Sequence, residues 1–95
     1  MLVYLVCKKN NEAILYGEFD AWHPDFELSD RSSLMMQAFI GKNCKDLIEV
    51  VFEPDMLESY KYINSMETPK ARLEYAVSYY GEDSREWLTK RIIIV

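Results

Sequence analysis

The stretch that decides the fold is Leu2 to Phe19, LVYLVCKKNNEAILYGEF. Leu2 to Cys7 is apolar on both alternating sets and partly β-branched or aromatic, the pattern of a strand covered on both faces. Lys8-Lys9-Asn10-Asn11-Glu12 is a polar turn, and Ala13 to Phe19 returns as a second strand. Two apolar runs separated by a short polar, Asn-rich segment read as a β-hairpin. Gly17, inside the second strand, marks a bulge or a close backbone approach.

Outward from the hairpin the chain alternates helix and strand signals. Pro24 breaks a loop over Asp20 to Ser29 and pushes His23 towards extended geometry. Ser29 or Asp30 caps a helix over Arg31 to Ile40, with Gly41 placed as its stop. Asp46 to Phe52 (DLIEVVF) reads as a third strand, with a helix continuing from Lys45 as its competitor. Pro54 starts a helix over Asp55 to Asn64, and Thr68-Pro69 starts another more cleanly. In that helix Leu73, Ala76, Val77 and Tyr80 share one face, and Gly81 ends it. Glu86 to Val95 ends in RIIIV, a β-branched run that predicts a C-terminal strand docked in the sheet. The expectation is a single α+β domain over residues 1–95. Its sheet has three or four strands, mixed or antiparallel, built from the N-terminal hairpin and the C-terminal strand, with two or three helices packed on one face.

Composition narrows the function classes. The 95 residues carry 11 Lys+Arg against 16 Asp+Glu, a net charge of −5 with a pI near 4.8. An acidic chain with one His is a poor ligand for nucleic acid, whose phosphates select a basic face. No uncharged run approaches the roughly 18 residues of a membrane span, and Met1 opens into a strand rather than a signal peptide, so the expectation is a cytoplasmic protein. Cys7 and Cys44 lack a CxxC spacing or a second Cys/His pair and read as reduced, largely buried thiols, with a disulfide between them as the alternative.

Catalytic motifs are lacking: the sequence shows no phosphate loop, nucleophile elbow, HExxH or CxxC. The one local constellation is Asp20-Ala21-Trp22-His23-Pro24-Asp25. Asp20, His23 and Asp25 would hold a divalent metal in a metal-dependent enzyme, a third-ranked reading because one loop makes a weak site. The leading expectation has no catalytic residue, no metal and no cofactor.

Charge placement is more informative. From Asn10 to Asp30 there are six acidic residues and no Lys or Arg, while the other 74 residues hold 10 acidic and 11 basic side chains. The negative excess is local. Interleaved with it are Tyr16, Phe19, Trp22 and Phe26, and rings framed by carboxylates are what a surface uses to dock a basic partner. Glu18, Asp20, Trp22, Asp25, Phe26, Glu27 and Asp30 are therefore the candidate partner-binding residues. The bland reading, residue by residue, is solvated acids with Phe19 and Phe26 in the core.

Helix 31–40 is apolar around most of its circumference through Leu34, Met35, Met36, Ala38, Phe39 and Ile40. Such a helix is clamped between layers or covered by another chain, which makes Met35, Met36 and Phe39 candidates for self-association. Seven tyrosines include Tyr75 and Tyr79 beside the apolar stripe of the last helix, as core flanks with wetted hydroxyls or as a docking ridge.

The profile resembles, in style alone, the acidic inhibitors that phages make against restriction or CRISPR machinery and the immunity proteins that neutralise toxins. The implied partner is a basic, nucleic-acid-binding surface on a larger enzyme or toxin. The runner-up is an assembly subunit that homodimerises or docks through the Met-rich helix.

Overall fold

The computed structural model describes residues 2–18, 30–52 and 60–93. The hairpin forms as expected: β1 (Leu2–Cys7) pairs antiparallel with β2 (Glu12–Glu18). Its turn closes with the Asn11 amide donating to the Lys8 carbonyl at 3.2 Å. Asn11 takes the left-handed conformation (φ 55°), which asparagine tolerates better than most residues. The pairing steps from Val3–Gly17 to Tyr4–Leu15, so Tyr16 is the extra residue of a bulge beside Gly17.

Among the described residues the sheet has four strands in the order β3-β1-β2-β4. β3 (Glu49–Phe52) runs antiparallel to β1, and β4 (Lys61–Tyr62) runs parallel to β2. The strand expected over Asp46 to Phe52 forms over Glu49–Phe52, and the competing helix from Lys45 does not. Residues 60 to 64 were expected at the end of a helix; they form β4 and the start of a 3-10 turn, Ile63–Ser65. The remainder of that expected helix lies outside the described residues.

Among the described residues the helices are α1 (Asp30–Lys42), α2 (Pro69–Tyr80) and α3 (Arg85–Ile92). α1 does not stop at Gly41. The Tyr79 ring from α2 lies where a Cβ at position 41 would project, so glycine there serves a close helix approach rather than a stop. α2 begins and ends as its sequence signals. The Thr68 hydroxyl accepts the Ala71 amide at 3.0 Å, and Gly81 (φ 101°) donates its amide to Val77 at 2.8 Å.

The C-terminal strand expectation is corrected, since Arg85–Ile92 is helical. Side-chain pairs four apart explain why. Leu88 and Ile92 bury one face, the Arg91 guanidinium lies 4.1 Å from the Trp87 ring centre, and Lys90 reaches Glu86 at 3.8 Å. The β-branched run begins only at Ile92, too late to govern the segment.

One core lies between the sheet and the helices. Leu5, Cys7 and Ile14 face Leu34, Met35, Phe39, Ile63, Leu73, Ala76, Val77, Leu88 and Ile92. A smaller cluster on the opposite sheet face joins Val6 and Ala13 to Tyr4, Val51, Tyr60 and Tyr62. Tyr4 and Tyr62 meet edge to face at 5.7 Å across β2, where Ala13 offers only a methyl group.

Arg85 fastens α2 to α3. Its guanidinium holds Glu74 at 2.5 Å and Glu82 at 2.7 Å. Hydrogen bonds from Arg85 hold the Glu74 and Glu82 carboxyls below their ordinary value of 4.5. Lowered folded values contribute stability above that ordinary value, and the contribution is lost as pH falls through the folded values. Urea unfolding followed from about pH 7 to pH 2 should show an acid loss that flattens in Arg85→Gln. An unchanged acid limb in that variant would remove Arg85 from the account.

Candidate functional site

Two places in the fold gather polar or exposed apolar groups. The first is the turn end of the hairpin. Glu12, at the start of β2, is drawn inward, where its Oε1 accepts from the Tyr75 hydroxyl at 3.0 Å and from Asn43 Nδ2 at 3.1 Å. Asn43, buried just past α1, also donates to the Phe39 carbonyl at 2.8 Å and accepts from Asn10 at 2.6 Å. Asn10 reaches Asp46 at 3.0 Å, and Lys9 pairs with the same carboxylate at 3.0 Å. Hydrogen bonds from Lys9 and then Asn10 hold the Asp46 carboxyl low. Burial, followed by the Glu12 charge, pushes the Tyr75 hydroxyl well above its ordinary value of 10.0. Lys42 Nζ sits 4.0 Å over the Tyr75 ring centre and donates to Ser78 at 2.6 Å. The arrangement locks the hairpin tip to the ends of α1 and α2. Tyr75 is therefore neither a wetted core flank nor part of a docking ridge, because its hydroxyl is spent on Glu12.

The second place is the β3 edge. The closest sheet neighbour of α1 is β2, and the closest neighbour of β3 is β1. Val50 is 59% exposed, Phe52 53% and Leu47 73%. Val3 opposite Phe52 and Leu2 opposite Glu18 put the end of β2 at the same end of the sheet as the end of β3.

Of the expected partner-binding residues, Glu18 is the last residue of β2 and Asp30 the first of α1. Asp20, Trp22, Asp25, Phe26 and Glu27 lie outside the described residues, as does His23. The metal reading at Asp20, His23 and Asp25 therefore also falls there; among the described residues no group of three or more His, Cys, Asp or Glu could hold a metal ion.

Of the two readings of helix 31–40, the structure favours a helix clamped between layers over one covered by another chain. Met35, a candidate for self-association, is 0% exposed, and Met36 and Phe39 are buried with it in the chain's own core. α1 is apolar all round because the sheet covers one side while α2 and α3 cover others. Cys7 is buried as expected, whereas Cys44, just past α1, is exposed, and both are free thiols. No helix among the described residues is long and apolar enough to cross a membrane.

An open groove of about 400 Å³ runs between β4 and the start of α2, lined by Lys61, Tyr62, Ser65, Met66, Glu67 and Ala71. It offers an apolar floor and one charge of each sign. The Glu12–Asn43–Tyr75 cluster escaped sequence reasoning because its members are 31 and 63 residues from Glu12. The one available signal was a glutamate directly before the apolar run Ala13 to Tyr16.

No protein family, curated protein or solved structure matches the chain.

Proposed function

We propose that the protein is a small non-catalytic binding module. Its acidic segment, from Glu18 to Asp30, docks a basic surface on a larger protein and acts by occluding that surface. A basic, nucleic-acid-binding groove is the partner chemistry that such a segment fits. The observation that carries the reading is the charge partition: six acids and no Lys or Arg over Asn10 to Asp30, against near balance elsewhere.

Among the described residues, Lys8, Lys9, Arg85 and Lys90 pair with Glu49, Asp46, Glu74 with Glu82, and Glu86. Glu12 belongs to the hairpin lock, so the docking charge rests on Glu18, Asp20, Asp25, Glu27 and Asp30. Trp22 and Phe26 supply the ring contacts.

Affinity capture from the native host, wild type against Asp20→Lys/Asp25→Lys/Glu27→Lys, tests the proposal. The expected result is a captured protein with a basic surface that is lost at high salt. It should bind the triple variant about 100-fold more weakly or worse. Equal capture by the two proteins, insensitive to salt, would overturn the proposal.

A further inference from the structure

We draw no further inference here: the strongest candidate, the open groove between β4 and the start of α2, carries nothing, because its lining charges, Lys61 and Glu67, are exposed and opposite in sign and nothing in the structure shows what covers it.

Discussion

Met35→Glu is expected to leave the chain largely unfolded in dilute buffer. Met35 is fully enclosed among the apolar residues of the main core, between the sheet and the helices. A glutamate there either keeps its charge without a partner or takes up a proton. Fully buried carboxyls have their pKa raised by up to about 3–5 units, and each unit is about 1.4 kcal/mol. Losing the burial of the methionine adds about 1.5–3 kcal/mol. The total, about 5 kcal/mol or more, is comparable to the whole stability of a domain this size, about 5–14 kcal/mol. Ile40→Glu, on the same helix but 43% exposed, should cost less than about 1 kcal/mol. Circular dichroism with urea titration separates the two cases. A folded Met35→Glu protein would place α1 at a surface and undo the core described above.

That contrast bears on what the sequence could reveal. The hairpin was legible because Leu2 to Cys7 and Ala13 to Phe19 are largely apolar runs around a polar turn, and the signal is complete within residues 2–19. α2 was legible for the same reason, with Thr68-Pro69 and Gly81 as punctuation at its ends. α1 was recognised as apolar all round, but whether a partner or its own chain covered it turned on α2 and α3 reaching back over it. That is a tertiary fact with no local signature. The RIIIV run misled because β propensity describes a fit to a half-buried pleated surface, and the helix pairs from Arg85 to Ile92 compete with it locally. Gly41 misled similarly: its glycine answers to the Tyr79 ring from another helix. At the site, the charge of the acidic segment was readable as a count along the chain. The withdrawal of Glu12 from that count depends on Asn43 and Tyr75, and the exposure of Val50 and Phe52 depends on strand order, so neither could be read from spacing.

Asn43→Ala carries the second large expected effect, a loss of about 2–4 kcal/mol measured by urea unfolding. Asn43 serves three partners from a buried position: it donates to Glu12 and Phe39 and accepts from Asn10. Alanine removes both side-chain donors, so the Glu12 carboxylate keeps the Tyr75 hydroxyl and the Phe39 carbonyl keeps the backbone amide of residue 43. Each lost hydrogen bond to a buried group costs about 1–3 kcal/mol. Tyr75→Phe should cost about 1–2 kcal/mol, because Glu12 then keeps only Asn43. Both donors act on one carboxylate oxygen, so the double variant should depart from additivity by about 0.5 kcal/mol or more. Tyr75 also predicts alkaline behaviour. Its hydroxyl titrates above its ordinary value of 10.0 in the folded chain, raised by burial and then by the Glu12 charge. A raised folded value gives stability that is complete below about pH 10 and is lost as pH climbs towards the folded value, since the unfolded chain releases its proton first. Tyr75→Phe should shed most of that alkaline loss. Part should remain from Tyr80, whose hydroxyl is also pushed up by burial and donates to the Leu34 carbonyl at 3.0 Å. Additive effects of Asn43→Ala and Tyr75→Phe, with an alkaline limb identical to wild type, would mean that Glu12 does not bind the two groups together.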